Sequence, residues 1–289
     1  MKNRRMFGIV AVVALFVGIF TAVNNANAQV VEVGLSGGLS SYYGDLNPIK
    51  PFNEAKLGFG AVVRYYQGSR WAFRFSYSNM NITASDEKVG ICPERKLSFK
   101  TNINDFSLIA EFNFFDYWTG SRRNFVTPYI FAGVGMATFN PKTLDDMELC
   151  NVLTDVDGYA DGDVNKTQDG TAKYNKCAVS IPFGLGVKYS VNRRIGLALE
   201  WRVHWAWTDW LDDCSGYYPL WNEGDSWAQY ADPSGNLSVD GGNEIKYLKR
   251  GDSVKYDYYS FLNFTVAFKF NLPHSKKCDV GLNGRYTTF

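Results

Sequence analysis

The sequence lacks several features that mark large classes of proteins. Its 289 residues contain one long apolar run, residues 6–23, so a bundle of membrane-spanning helices is excluded. Acidic and basic residues nearly cancel, with a formal net charge of +1, so a general role in binding nucleic acid has no electrostatic basis. Charged residues make up only 20% of the chain and hydrophobic residues 46%, which excludes a disordered polypeptide.

The N-terminus has the pattern of a secretory signal peptide. Lys2, Arg4 and Arg5 precede the apolar run, and Ala-Asn-Ala at 26–28 forms a small-x-small cleavage site before Gln29. We therefore predict that residues 1–28 are a signal peptide. Cleavage removes three of the 30 basic residues and leaves 27 basic against 29 acidic residues. No cysteine follows the cleavage site, so the exported product is not an N-terminal lipoprotein.

Aromatic residues are abundant, with 8 Trp, 18 Tyr and 21 Phe, and this usage favours pleated strands over helices. From Gln29 onward the apolar residues recur with a period of two. The repeating segments have the length that a tilted membrane strand needs, about 9–11 residues. Eight such segments are predicted as strands, at 30–40, 57–65, 71–78, 106–114, 127–139, 179–189, 195–207 and 262–270.

The connections between these segments alternate between short and long. Short turns at 67–70, 119–125 and 192–194 follow the second, fourth and sixth strands, and longer loops follow the others. This alternation predicts an all-β fold, an eight-stranded antiparallel transmembrane β-barrel over 29–271 with short periplasmic turns and long extracellular loops. The expected location is the outer membrane of a Gram-negative bacterium, in contact with its lipid. Residues 272–289 are predicted to form a periplasmic tail.

Charged residues of both signs occupy the strand face opposite the apolar one. Because an eight-stranded barrel has an interior filled by side chains, we expect these charges to pair and to leave no open water channel, with proton or ion passage as the alternative. The predicted lumen network consists of Arg64, Arg74, Glu111, Lys188, Glu200, Arg202, Asp257 and Lys269, and His204 lies on the same face.

No catalytic or metal constellation is predicted. The Gly-x-Ser-x-Gly pattern at 34–38 lies inside the first strand, where a nucleophile elbow cannot form, and the chain has only 2 histidines. Residues 144–171 hold eight acidic residues and one basic residue, and Asp161, Asp163 and Asn165 have calcium-loop spacing. Lys166 stands where that loop needs glycine, so a solvated acidic loop is favoured and a calcium site stays open. We expect no enzymatic activity and no cofactor.

All five cysteines lie in the exported part of the chain, where disulfides persist. The topology places Cys92, Cys150, Cys177 and Cys214 at the extracellular ends of strands. It predicts the pairs Cys92–Cys150 and Cys177–Cys214, with Cys150–Cys177 as the alternative. Cys278 is the odd one on the periplasmic side, where it is either a free thiol or forms an intermolecular disulfide.

Seven segments form an ordered set along the chain: 42–48 (YYGDLNP), 111–115 (EFNFF), 127–135 (TPYIFAGVG), 181–189 (IPFGLGVKY), 199–202 (LEWR), 208–213 (TDWLDD) and 258–262 (YYSFL). In this order they resemble the PorG family, the small outer-membrane barrels of the type IX secretion system. Residues 144–171 and 216–250 match nothing in that pattern.

The resemblance implies a non-enzymatic role in protein export in Bacteroidota, in contact with the periplasmic ring built by the lipoprotein PorK and by PorN. The hypothesis is that the basic turns and the tail contact this ring, through Arg70, Arg122, Arg123, Arg193, Arg194, Lys276, Lys277 and Cys278. The competing hypothesis is a small outer-membrane pore or an adhesin that acts through its acidic extracellular loops.

Overall fold

The computed structural model describes residues 30–48, 50, 52–121, 123–149, 175–214, 218, 228–234, 250–252 and 255–271. The strands are β1 (Val30–Tyr43), β2 (Lys56–Tyr66), β3 (Trp71–Ser85), β4 (Ser98–Asn113), β5 (Val126–Lys142), β6 (Cys177–Ser190), β7 (Ile195–Ala206) and β8 (Tyr258–Asn271). Two four-residue helices, α1 (Asp86–Val89) and α2 (Ala228–Ala231), lie in the connections. Within these described ranges, no helix is long and apolar enough to cross a lipid bilayer.

The eight strands form one closed antiparallel barrel in sequence order, which confirms the predicted fold class. Closure is made by β8, which pairs with β1 from Val30 opposite Asn271 to Tyr43 opposite Tyr258. Closure removes the exposed strand edges that would otherwise recruit another chain. The predicted signal peptide at 1–28 and the predicted tail at 272–289 lie outside the described residues.

Short and long connections lie at opposite ends of the barrel. The short-turn end carries the connections at 67–70, 114–125 and 191–194, together with Val30 and Asn271, where the described barrel begins and ends. The long-loop end carries the connections after β1, β3, β5 and β7. The two ends of the barrel therefore differ in the length of the connections that flank them.

Near the short-turn end, side chains alternate between an apolar outer face and a polar interior. On β4, Phe106 and Leu108 point outward and are 41% and 49% exposed, whereas Ser107 and Glu111 point inward and are buried. Two-residue periodicity produces this separation, because successive side chains of a strand point to opposite faces of the sheet.

Toward the long-loop end, β3, β4 and β5 run further than the sequence indicated. The predicted ends at 78, 106 and 139 are wrong, since the strands reach Ser85, Ser98 and Lys142. In these extensions the alternation is inverted, with polar residues outward and apolar residues inward. The inward side chains form a buried apolar cluster that includes Met80, Ile82, Phe99, Ile103 and Phe139.

Candidate functional site

The barrel interior holds the charged groups that the sequence predicted to lie there. The structure brings six of the eight together in the half nearer the short-turn end, all of them buried: Arg64, Arg74, Glu111, Lys188, Glu200 and Arg202. Asp257 and Lys269 lie elsewhere, one at each end of the barrel. The six side chains are buried because they occupy inward-facing positions of their strands. The contacts among them offset the free-energy cost of burying charged groups.

Glu111 on β4 is the centre of this network. Its Oε2 atom accepts hydrogen bonds from Nε of Arg64 at 2.8 Å and from Nζ of Lys188 at 2.6 Å. Nε of Arg74 lies 3.0 Å from Oε1, in ionic contact but without the alignment of a hydrogen bond. Cations from β2, β3 and β6 therefore converge on one carboxylate and tie distant parts of the wall together.

Glu200 on β7 extends the network across the lumen. Its Oε2 atom accepts from Nη1 of Arg74 at 2.6 Å and from the hydroxyl of Tyr129 at 2.6 Å. Its Oε1 atom accepts from Nη2 of Arg202 on the same strand. Arg74 thus bridges Glu111 and Glu200, so the chain of ionic contacts continues from β2 to β7.

Two buried carboxylates that the sequence interpretation did not include complete the charge balance. Glu32 accepts from Nη1 of Arg64 at 3.0 Å and from the hydroxyl of Tyr66 at 3.1 Å. Asp105 lies on the long-loop side of the network. Both share the inward parity of their strands, but Asp105 immediately precedes the predicted start of its strand at 106. With Glu111 and Glu200 they oppose four buried cations, Arg64, Arg74, Lys188 and Arg202.

Asp105 organises the polar groups around the buried His204. Its Oδ2 atom accepts from the hydroxyls of Tyr259 at 2.9 Å and Ser180 at 3.0 Å. Nδ1 of His204 lies 3.4 Å from the same oxygen, and its ring stacks on Tyr259 at 4.4 Å between centroids. Neither ring nitrogen of His204 makes a hydrogen bond within the described chain. The Ser180 hydroxyl therefore points to the acid and not to the imidazole, which differs from a nucleophile–base pair.

The connection between β4 and β5 closes the lumen at the short-turn end. Tyr117 and Thr119 are buried there, and the Thr119 hydroxyl donates to Oε1 of Glu32. The Thr119 carbonyl accepts from Nζ of Lys269 at 2.7 Å, so Lys269 belongs to this closure. Gly120 has a φ of 97°, and a Cβ atom there would lie 3.0 Å from the backbone of the β6–β7 turn. Glycine allows the closing segment to approach that turn.

At the long-loop end, one hydroxyl joins two buried carboxyl groups. The Tyr42 hydroxyl lies 2.5 Å from Oδ2 of Asp212 and 2.8 Å from Oδ1 of Asp257. The other oxygens accept backbone N–H groups, with Cys214 donating to Asp212 at 3.0 Å and Leu211 donating to Asp257 at 3.1 Å. A hydroxyl has one proton, so both contacts are hydrogen bonds only when one carboxyl group is protonated.

The surroundings favour that protonated form. Burial is the main factor that raises the pKa of Asp212 well above its ordinary value, followed by the negative charge of Asp257. Burial and the charge of Asp209 likewise raise the pKa of Asp257. We call Tyr42, Asp212 and Asp257 the mouth cluster. Asp257 belongs to it and not to the charge network around Glu111, because Asp257 precedes β8 at the long-loop end.

Arg95 links two of the long connections above the mouth cluster. Its guanidinium makes a two-pronged contact with the carboxylate of Asp86, with both N–O distances at 2.7 Å. Its Nη1 atom also donates to the carbonyl of Arg250 at 2.6 Å. The β3–β4 connection is thereby fixed to the β7–β8 connection, and the barrel interior is covered at this end as well.

Three of the five cysteines, Cys92, Cys177 and Cys214, lie within the described residues. The predicted Cys177–Cys214 disulfide is wrong, since no bond joins these residues. Cys214 is buried, and its thiol donates to the carbonyl of Arg250 at 2.9 Å, whereas Cys177 is partly exposed at the start of β6. Cys150 and Cys278 lie outside the described residues, so the pairs of Cys150 with Cys92 or with Cys177, and the role of Cys278, stay predictions.

The basic residues predicted for the short turns are exposed where the structure describes them. Arg123, Arg193 and Arg194 are exposed. Arg70 is also exposed but pairs with Asp116 at 3.2 Å, so the β4–β5 connection contributes an acid that the sequence analysis had not assigned to it. Hydrogen bonds from Ser69 and Arg70 lower the pKa of Asp116. Arg122, Lys276 and Lys277 lie outside the described residues.

Solved structures of several bacterial outer-membrane proteins are similar to this chain. The N-terminal β-barrel domain of Pseudomonas aeruginosa OprF has 13% identity and a TM-score of 0.38, over 84% of this chain and 100% of that one. Neisserial surface protein A has 11% identity and a TM-score of 0.38, over 84% and 99%. A major outer membrane protein from Thermus thermophilus has 14% identity and a TM-score of 0.37, over 84% and 100%.

No curated protein matches the sequence. A family model does match, over residues 10–230, which is most of the chain, and its description is "Domain of unknown function (DUF6089)". The chain therefore belongs to the DUF6089 family.

Proposed function

We propose that this chain is an outer-membrane β-barrel that serves as a non-conducting membrane anchor for a periplasmic protein-secretion assembly. The observation that carries the proposal is the combination of an apolar outer wall with a lumen that ion-paired side chains cross. The two features together suit a protein that is held by lipid and does not pass solutes.

The outer wall supports membrane insertion. Large apolar side chains are exposed on many strands, among them Leu35 at 72%, Phe59 at 64%, Leu185 at 58%, Leu199 at 54% and Phe268 at 51%. A water-soluble protein rarely exposes a continuous apolar surface of this extent, because it would aggregate. An outward apolar band is the usual lipid-facing surface of transmembrane barrels.

The lumen supports a non-conducting role. Glu111 holds three cations from three strands, and the buried Thr119 segment lies across the short-turn end. Opening a water path would separate these ion pairs, which now fill the lumen between the three strands. The proposal is accordingly non-enzymatic, with the buried charges serving to fill the barrel.

The partner in this proposal comes from the resemblance to the PorG family. Arg123, Arg193 and Arg194 are exposed at the short-turn end, which faces the periplasm if the long loops face outward. This basic surface suits contact with the PorK and PorN ring of a type IX secretion system. Lys276, Lys277 and Cys278, which lie outside the described residues, are part of the same hypothesis.

The ring contact is tested by co-purification from cells that carry the full chain. The double variant R193E/R194E should insert normally and recover much less of the PorK/PorN ring. Lys255→Glu, a single exposed charge reversal at the long-loop end, is the control and should recover the ring as the wild type does. Unchanged recovery with R193E/R194E and also after deletion of residues 272–289 would contradict the ring contact.

Planar-bilayer recordings separate the anchor from the competing pore. The wild-type barrel should give no unitary conductance, and a stable ohmic channel would contradict the anchor and support the pore. If loss of function follows changes in the acidic loop at 144–171 and not at the short-turn end, the adhesin hypothesis is supported instead.

A further inference from the structure

The outward face of β3, β4 and β5 changes from apolar to polar between two adjacent rows of side chains. The last apolar row pairs Tyr77 with Phe106 and Phe106 with Met136. The next two rows are polar and in register across all three strands. We call these six residues the amide panel: Asn79, Asn104, Thr138, Asn81, Asn102 and Asn140.

The amide panel is internally hydrogen-bonded. Asn79 Nδ2 donates to Oδ1 of Asn104 at 2.8 Å, and Asn102 Nδ2 donates to Oδ1 of Asn81 at 2.9 Å. The hydroxyl of Tyr77 reaches up from the apolar row to Oδ1 of Asn104 at 2.9 Å. Amide groups are too polar to face hydrocarbon, and tyrosine rings gather at membrane–water boundaries. The edge of the hydrocarbon therefore runs between the Tyr77 row and the amide panel.

Lysines surround the amide panel. They line a groove of about 900 Å³ on the outer wall, between the panel and residues 144–146 and 175–177. Lys100 contacts Asp146 at 3.0 Å, and Lys176 contacts Glu148 at 3.4 Å. Lys56 and Lys142 also line the groove. Within the described residues neither forms an ion pair, although the charge of Lys142 contributes to lowering the pKa of Glu148. Among the described residues, four lysines and two acids surround the groove, so this part of the wall carries a net positive charge.

We propose that the amide panel and its lysines bind the phosphorylated sugar headgroup of an outer-leaflet glycolipid. Lysine is a good partner for phosphate oxygens, and amide side chains both donate to and accept from sugar hydroxyls. The apolar rows directly below the panel offer a surface for the acyl chains of the same molecule. This continuity favours a lipid over a free anion, which would use only the lysines.

The inference rests on the proposed placement of the barrel in an outer membrane with its long-loop end outward. It adds that one side of the wall, β3–β5, selects its neighbouring lipid. On the opposite side the outward residues at the long-loop end include Trp205, Trp207, Tyr256 and Tyr258, so no comparable amide surface exists there among the described residues.

The test measures binding of purified full-length barrel, in uncharged detergent, to lipid A that carries two phosphates. The variants are K56E/K142E, K56R/K142R and, as a single charge-reversal control outside the groove, K255E. Native mass spectrometry or a fluorescent lipid A gives the affinity. We expect K56E/K142E to bind roughly tenfold more weakly, which corresponds to about 1.4 kcal/mol. K56R/K142R and K255E should bind as the wild type does.

Two further arms identify the source of the phosphate. Lipid A without phosphates should bind much more weakly to the wild type, and inorganic phosphate should not compete at concentrations that match the lipid. Equal binding of both lipids, an unchanged affinity of K56E/K142E or an equal loss with K255E would overturn the proposal. Effective competition by inorganic phosphate would also overturn it and indicate a simple anion site.

Membrane insertion is scored in the same samples by the heat-dependent gel migration of folded barrels and by protease protection in vesicles. A chain that does not insert refutes the anchor proposal itself. A chain that inserts but ignores lipid phosphate refutes only the glycolipid site. The two failures are thus distinguishable.

Discussion

The lower and upper parts of the β3–β5 wall use opposite polarity patterns on the same strands. Toward the short-turn end, Phe106 and Leu108 face outward while Glu111 faces inward. Toward the long-loop end, Asn102 faces outward while Ile103 packs in the buried apolar cluster. The lower part has the polarity pattern of a membrane barrel and the upper part that of a water-soluble one. The medium outside each part decides which face of the strand is apolar.

The two parts are also held together by different forces. Below, the interior is fixed by directional contacts such as Arg64 and Lys188 on Glu111. In the upper part, the interior is held by apolar packing. Phe99, for example, packs edge-on against Tyr42 at 4.9 Å between ring centroids. Ionic contacts are sensitive to the loss of one partner, whereas an apolar cluster is sensitive to lost volume.

The largest effect should come from Glu111→Ala, which tests the ionic half. The change leaves Arg64, Arg74 and Lys188 close together without their common anion, so we expect the free energy of unfolding to fall by roughly 3–5 kcal/mol. Urea unfolding in detergent micelles measures it. The control is Asp116→Asn, which removes the exposed partner of Arg70 and should cost under about 1 kcal/mol. Equal losses of unfolding free energy in the two variants would show that the buried network contributes no more to stability than an exposed ion pair does.

The apolar half is tested by Ile103→Ala. Because Ile103 is fully buried in the upper cluster, the cavity should cost roughly 2–5 kcal/mol. The matched control is Leu108→Ala on the outer face of the same strand, where detergent fills the space and the loss should be much smaller. If both changes cost the same in urea titrations, the upper interior is not a packed core.

A smaller effect is expected from Asn102→Ala in the amide panel. The change removes the hydrogen bonds of Asn102 with Asn81, Asn79 and Asn104. Because the site is exposed and water can replace these partners, the loss should be about 1 kcal/mol. Asn104→Leu, in the row next to Phe106, extends the outer apolar surface by one row on β4 and should move the barrel relative to the bilayer. Fluorescence quenching by bromine-labelled lipids reports this depth, and an unchanged depth would argue against a hydrocarbon edge at this row.

The smallest effect on the whole barrel should be the pH response of the mouth cluster. Its carboxyl groups have a pKa raised by burial, so their stabilising contribution is complete below the ordinary carboxyl pKa of about 3.9. The contribution is lost as the pH rises through the raised values. Hydrogen exchange at the amides of Leu211 and Cys214, corrected for intrinsic rates, should therefore speed up with pH.

In the Asp257→Asn variant the side chain at 257 cannot ionise. Exchange protection of the Leu211 and Cys214 amides should therefore depend less on pH than in the wild type. Asp145→Asn, an exposed acid at the same end, is the control and should follow the wild-type profile. A steep pH dependence that persists in Asp257→Asn would show that the Tyr42 cluster is not its source.

Much of this fold was predictable because alternation, turn lengths and strand number depend on local sequence. The eight strands follow from the alternation of apolar residues two apart, and their order follows from the lengths of the turns between them. The strand ends did not follow, since Asn79 and Asn102 interrupt the outward apolar pattern while Met80 and Ile103 continue an inward one. The outward apolar pattern ends where the apolar residues move to the inward face of the strand.

The candidate site was predictable in composition but not in connectivity. The alternation of side chains identified Glu111 and Arg74 as lumen residues. Alternation does not, however, say how far along the barrel axis a residue lies. It therefore grouped Asp257 with residues at the other end of the lumen. The Cys177–Cys214 pair was wrong for a similar reason: neighbouring strand ends need not bring side chains together, and Cys214 is held under the loops by Arg250.

Thr119 has a consequence for the order in which the chain folds. It lies near the middle of the sequence, yet its hydroxyl contacts Glu32, 87 residues earlier, and its carbonyl contacts Lys269, 150 residues later. Those two residues lie opposite each other on the first and last strands. Contacts of such sequence separation form slowly, because a long loop of chain must be ordered first. Thr119 can therefore contact both β1 and β8 only after β8 has paired with β1. Burial of Thr119 thus marks the completed barrel.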